Sequence, residues 1–227
     1  MSGDTTDQYL IAPEPGRRGL TRRVEGVDET GAHGSISVVE ERPLTIFLNE
    51  QEIVTAMTIG DYPEYLALGF LRNQGMLKEG ETIKGVDFDD ELETVVVRTD
   101  GTTSYEEKLK KKTRTSGCAV GTVFGDMMEG LEGLMLPFTE VRTSWLYALA
   151  HQINTTPSLY LEAGAIHGTV LCQEDRPLVY MEDVGRHNAV DKIAGWMRSQ
   201  GVRGEDKILY TTGRLTSEMV IKCALMG

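Results

Sequence analysis

Three stretches of the 227-residue sequence concentrate side chains that can do chemistry. The first, "RTSGCAVGT" at residues 114–122, sets Cys118 between small residues directly after the run "KLKKK". Gly117, Ala119 and Gly121 leave the sulfur uncovered and the backbone free to adopt special dihedrals. Lys108, Lys110, Lys111, Lys112 and Arg114 supply a cationic field that favours the thiolate, the nucleophilic form. A free thiol titrates near about 8.5, so a modest field already raises the reactive fraction at neutral pH. On these residues alone, an inert cysteine in a glycine turn beside a solvated lysine strand is slightly the better reading. Cys172 in "TVLCQ" and Cys223 in "VIKCALM" sit within apolar runs and read as structural.

The second stretch, "MEDVGRHNAVDK" at 181–192, is the densest. A strand end supplies Glu182 and Asp183, Gly185 permits a turn, and Arg186, His187 and Asn188 arrive where a helix begins. His187 and Asp191 stand four apart, so a shared helix face would let the carboxylate orient the imidazole. The third stretch, "TTGRLTSE" at 211–218, repeats the arrangement with Gly213, Arg214, Thr216 and Ser217. It is not a phosphate loop of the G-x-x-x-x-G-K-[ST] type, whose spacing is absent. His167, in "LEAGAIHGTV", follows a strand among small residues and reads by itself as a buried, satisfied histidine. A capped helix with an ion pair would explain either charged loop alone. Two such loops together favour a ligand site.

These stretches need elements to position them, and the last third of the chain alternates β–α–β–α: "PLVYMED", a helix from about Asn188 to Gln200, "DKILYTTG", and a helix from Ser217. Such order implies parallel strands. Ligands of open α/β sheets sit outside the carboxyl ends of the strands, where both polar loops fall. Each loop runs into a helix N-terminus, whose free N–H groups favour phosphate. Upstream, "PLTIFLNEQEIVTAM" predicts a hairpin turning at "LNEQE". "GDYPEYLALGFLRNQG" predicts a helix capped by Asp61, with Pro63 in its first turn, Glu64 completing a capping box and Gly75 at its end. "TIKGVDFDDELETVVVRTD" predicts a second hairpin, and 139–154 a further helix. Residues 1–34, rich in Gly, Pro, Thr and charge, read as a flexible arm. The organisation is therefore an arm (1–34), a β-rich lobe with one helix (35–115) and an α/β domain carrying the candidate site (116–227).

Composition excludes several classes. With 35 acidic and 23 basic residues the formal charge is −12, which opposes bulk attraction to nucleic acid or an anionic membrane. Anionic ligands must be met locally. Three widely spaced cysteines give neither a disulfide framework nor zinc-ligand spacing, so no metal site is expected and a reducing cytoplasm is the simpler setting. No window reaches the apolar length of a membrane span.

In order, "PLTIFLNEQEIVTAM", "GDYPEYLALGFL", "SGCAVG", "GAIHG", "MEDVGRHNAVDKIAG" and "GRLTSEMVIKCAL" resemble the formate dehydrogenase accessory sulfurtransferases, the FdhD family, over residues 42–227. The resemblance implies a cytidine deaminase-like fold: a mixed or parallel sheet flanked by helices, with an N-terminal β-rich lobe. It implies a cytoplasmic sulfur carrier that receives sulfur as a persulfide from a cysteine desulfurase. That sulfur passes to the molybdenum or tungsten bis-guanine-dinucleotide cofactor, carried as cargo, before it enters formate dehydrogenase. Cys118 matches the first cysteine of the family's C-x-x-C loop, which reverses the inert reading. His167, Asp183, Arg186, His187, Asn188, Gly213, Arg214 and Ser217 match positions around the cofactor cleft. Gly121 stands where many members have the second cysteine, and the family's glycine-rich C-terminal segment has no match, so the chain reads as lacking that part. A homodimer is the default assembly. A zinc nucleobase deaminase would need H-x-E and P-C-x-x-C ligands, whereas Gly168 and Thr169 follow His167 and Cys118 has no partner. A Cys–His hydrolase and a cofactor chaperone that moves no sulfur are the remaining competitors.

Overall fold

A computed structural model describes residues 9–77, 80–101 and 131–227; Cys118, Gly121 and the lysine run lie outside the described residues. Alternation of apolar residues builds the first sheet. In β3 (Arg42–Leu48), Leu44, Ile46 and Leu48 are buried, and in β6 (Thr94–Thr99) Val95 and Val97 are. Together with β4 (Gln51–Thr58) and β5 (Ile83–Asp89) they form a sheet of order β4-β3-β6-β5, with β3 and β6 parallel and both outer pairs antiparallel. Both expected hairpins are present. At the first turn Asn49 takes a left-handed φ of 54°, which asparagine tolerates, and its Oδ1 accepts from Thr99 N at 2.9 Å. Leu66, Ala67 and Leu71 of α1 (Pro63–Asn73) close this core.

The start of α1 differs from the sequence expectation. Tyr62, in a left-handed conformation, is the N-cap, without a side-chain cap bond. Asp61 turns inward to a buried lysine instead, an ion pair that a capping bond would forgo. Residues 9–34 also depart from a flexible arm. Leu10 N donates to Leu178 O at 2.7 Å and Tyr180 N to Ile11 O at 2.9 Å, tying the segment to the second sheet. β1 (Thr21–Val27) and β2 (His33–Val39) then pair as an antiparallel ribbon.

The second sheet has order β8-β7-β9, formed by β7 (His167–Gln173), β8 (Arg176–Asp183) and β9 (Ile208–Thr211), all neighbours antiparallel. The expected parallel pair is therefore half right. β8 and β9 run in the same direction, as a helical crossover requires, but β7 is inserted between them, so this sheet is antiparallel throughout and the first sheet, with β3 and β6 parallel, is the mixed one. On one face α4 (Arg186–Gln200) and α5 (Ser217–Met226) bury Val190, Ile193, Met197 and Met219 against Leu171, Val179 and Met181. On the other, α2 (Thr143–Thr155) contributes Leu149 and Ile153 beside Val170 and Cys172. The short α3 (Leu159–Ala163) follows, its first N–H groups donating to Glu182.

The two layers meet where α1 crosses α4. A Cβ at Gly69 would lie 1.7 Å from Asp191 O, and one at Gly195 1.9 Å from Tyr65 O. The backbones thus touch directly, an approach only glycine permits, and the crossing brings the carboxyl end of β4 and the start of α1 against α4.

Candidate functional site

β8 and β9 both end, and β7 begins, at one edge of the second sheet. The register puts His167 opposite Asp183 and Thr169 opposite Thr211. β8 runs through Gly185, the N-cap of α4, into Arg186 and His187. β9 runs through Thr212, Gly213 and Arg214 to Thr216, the N-cap of α5. Thr212 N donates to Gly168 O at 3.0 Å and Gly168 N to Thr212 Oγ1 at 3.0 Å, so the second loop is pinned to the first residues of β7. Gly213 packs on Arg186: a Cβ there would stand 2.9 Å from Arg186 Cβ and 3.1 Å from its Cδ. That bare surface lets the Arg186 stem lie across the loop.

The structure thus brings His167, Arg186, His187, Gly213 and Arg214 to one edge beside two helix N-termini. Burial lowers the pKa of His167, the Arg186 and Arg214 guanidiniums lower it further, and Asp183 opposes them only in part. At neutral pH it is therefore an uncharged imidazole flanked by two cations. Ser217, the first residue of α5, is exposed.

Asp183 and Asn188 lie one layer down. Asp183 is fully buried, with Oδ1 accepting from Gly185 N at 3.1 Å and from Asn188 Nδ2 at 3.0 Å. Its Oδ2 takes the Thr58 hydroxyl and faces Lys192 Nζ at 2.6 Å. Asn188 Nδ2 also donates to Met57 O at 2.7 Å, so its amide clamps the loop to β4. These two side chains position the turn that carries Arg186. The helix consequently starts two residues before Asn188, because Asn188 does not serve as its cap.

Lys192, within "NAVDK", is the residue that sequence reading missed at this level. It is entirely buried, pairs with Asp61 as well as Asp183, and donates to Glu182 O at 2.9 Å. Burial alone would push its ammonium down in pKa; the carboxylates of Asp183 and Asp61 outweigh that and hold it up. Asp61, conversely, is pushed up by burial, with Lys192 opposing. A polar residue in a helical run gives no sign of which strand end or cap it will meet.

His187 differs from expectation too. Asp191 does not orient it: that carboxylate accepts from Asn73 Nδ2 at 2.7 Å and from Lys222 Nζ at 2.8 and 2.6 Å. The carboxylate beside His187 is Glu218, whose Oε2 lies 3.0 Å from Nε2. Burial, then Lys222 and Arg186, bring the imidazole down to about 4 against the pull of Glu218, so it is neutral at pH 7. The 3.0 Å approach is also poorly aligned, and Nε2 makes no formed hydrogen bond. Five buried side-chain atoms among the described residues lack a partner, and four are here: Arg186 Nε, His187 Nε2, Thr216 Oγ1 and Glu218 Oε1. Buried polar groups are almost always paired, so such a concentration marks a place where bound polar groups belong. Two guanidiniums, two helix N-termini and unpartnered donors can hold a ligand rich in phosphate oxygens.

The chain is similar to known proteins in sequence and in fold. A family model described as "FdhD/NarQ family" matches residues 39–227. Similar curated proteins named "Sulfur carrier protein FdhD" include that of Wolinella succinogenes, 30% identical over 200 residues that cover 83% of this chain and 66% of the relative. That of Bacillus subtilis is 29% identical over 202 residues, covering 86% and 77% respectively. A crystal structure of a protein described as a formate dehydrogenase accessory protein, from Desulfotalea psychrophila, superposes with a TM-score of 0.68 at 27% identity, covering 91% of this chain and 79% of that one. With most of its length matched in sequence and in fold, the chain belongs to the FdhD/NarQ family.

Proposed function

We propose that this protein is a cytoplasmic sulfur carrier for formate dehydrogenase. It takes sulfur as a persulfide on Cys118 from a cysteine desulfurase and passes it to a molybdenum or tungsten bis-guanine-dinucleotide cofactor, its cargo, bound across the strand-end loops. The observation that carries the cargo reading is the convergence of Arg186, Arg214 and neutral His167 on unpartnered buried polar atoms between two helix N-termini, in a chain of charge −12. A ligand of several phosphates would be repelled by most of this surface and received here. The relatives named as sulfur carriers support the transfer. In that step the Cys118 thiolate attacks the terminal sulfur of the desulfurase persulfide, a new S–S bond forms as the old one breaks, and the desulfurase cysteine leaves as thiolate. No net oxidation occurs. Because Gly121 supplies no second thiol, release proceeds by attack of the acceptor or of an external reductant on the carried sulfur.

Mass spectrometry after incubation with a cysteine desulfurase and cysteine tests the proposal. Wild type should gain one sulfur and Cys118→Ala none. Equal gain by the variant would remove Cys118 from the role. Nucleotide binding without any gain by wild type would leave a cofactor chaperone that moves no sulfur.

A further inference from the structure

The four unpartnered atoms at the strand-end site differ in kind. Arg186 Nε can only donate a hydrogen bond, whereas a carboxylate oxygen such as Glu218 Oε1 serves as an acceptor. Glu218 is 6% exposed and sits on the first turn of α5, yet it reaches His187 on the first turn of α4. Its carboxylate therefore stands between the two helix N-termini. Its neighbours do not satisfy it: His187 Nε2 forms no hydrogen bond, and Lys222, four residues on, gives its ammonium to both oxygens of Asp191. Oε1 has no partner among the described residues. A ligand presenting phosphate oxygens alone would satisfy Arg186 Nε but leave Oε1 without a donor.

We propose that Glu218 accepts a hydrogen bond from an N–H or O–H group on the same ligand whose phosphates the arginines hold. The site then selects a nucleotide, phosphate plus donor, over bare phosphate or pyrophosphate. Thr216 Oγ1, which can donate or accept, adds a second contact to the same edge. The inference rests on the phosphate reading of the site given above and adds a selecting residue to it. The donor has two sources, the sugar hydroxyls and the base N–H groups, and the geometry specifies their shared chemistry.

Calorimetric titration of the full chain tests this with pyrophosphate, GDP and two analogues. Ribose 5-diphosphate keeps the hydroxyls without the base; 2′,3′-dideoxyguanosine diphosphate keeps the base without the hydroxyls. Wild type should prefer GDP to pyrophosphate by about tenfold or more, as expected of a site whose buried polar group is left unpaired by the lesser ligand. Glu218→Met, of similar length and with no oxygen to accept a hydrogen bond, should lose that preference while binding pyrophosphate at least as well. The analogue that retains the preference identifies the donor's source. A preference unchanged in the variant, or no preference in wild type, overturns the assignment; Glu218→Leu, which also lacks the acceptor, gives the same reading where the first variant folds poorly. Failure of wild type to bind pyrophosphate and nucleotides alike would instead overturn the phosphate reading, and this inference with it.

Discussion

Replacing Lys192 with Met probes the layer that holds the site in place. Met approximates the lysine stem and removes the ammonium, which has no solvent exposure. Asp183 would keep the Thr58 hydroxyl, the Asn188 amide and Gly185 N–H, but Asp61 would lose its buried partner, and both carboxylates would face an apolar side chain. Removing one member of a buried ion pair costs about 3–5 kcal/mol. That is a large fraction of the roughly 5–15 kcal/mol that keeps a domain folded. The cost should depend on pH. Without Lys192 the folded state favours protonated carboxyls, so a carboxylate pKa above the unfolded value penalises folding at neutral pH. The penalty fades as pH falls through that raised pKa towards the unfolded one. Urea denaturation at pH 7 and pH 5 should therefore give a larger loss at pH 7, and Asp61→Asn in the Lys192→Met background should restore part of it. A loss below about 1 kcal/mol at pH 7, the scale of an exposed pair, would refute the reasoning. So would a loss that neither pH nor Asp61→Asn changes.

Three other outcomes are expected. Gly195→Ala gains about 1 kcal/mol of helix propensity, yet its Cβ meets backbone rather than a movable side chain at 1.9 Å; the net effect should be a lowered Tm, and an unchanged or raised one would contradict the close α1–α4 crossing. Because the folded His187 titrates near 4 and the unfolded one near 6.5, the unfolded chain binds the extra proton first. Its contribution is full above pH 6.5 and lost as pH falls towards 4, by at most about 3 kcal/mol at 1.36 kcal/mol per unit, less with solvent screening. His187→Gln should flatten stability across that window, which urea melts at several pH values would detect. Gly213→Ala should displace Arg186 and weaken GDP binding about tenfold, the scale of one charge-assisted hydrogen bond, while far-UV circular dichroism stays as in wild type.

Much of the fold was legible because local signals and packing agree. Alternating Leu44, Ile46 and Leu48 name their own buried face, and Gly185 and Gly213 mark turns at strand ends. The site loops were legible for the same reason, as polar runs where strands stop and helices start. Partners across the chain were not. The Asp61 to Lys192 and His187 to Glu218 pairs join residues that local spacing does not relate, and Asp61 satisfied a capping pattern that a buried ammonium outcompetes. Strand order escaped too, because β–α–β sequence fixes the direction of β8 and β9 but says nothing of a third strand, β7, entering between them. The N-terminal segment has weak composition for order, yet its backbone hydrogen bonds to Leu178 and Tyr180 hold it on the sheet.

The most direct test of the strand-end site is calorimetric titration of GDP into wild type, Arg186→Ala and Arg214→Ala. Wild type should bind, and each variant should bind about tenfold more weakly or worse, the loss of one charge-assisted contact of about 1.5–3 kcal/mol. Affinity unchanged in both variants would mean that these loops do not hold the phosphates.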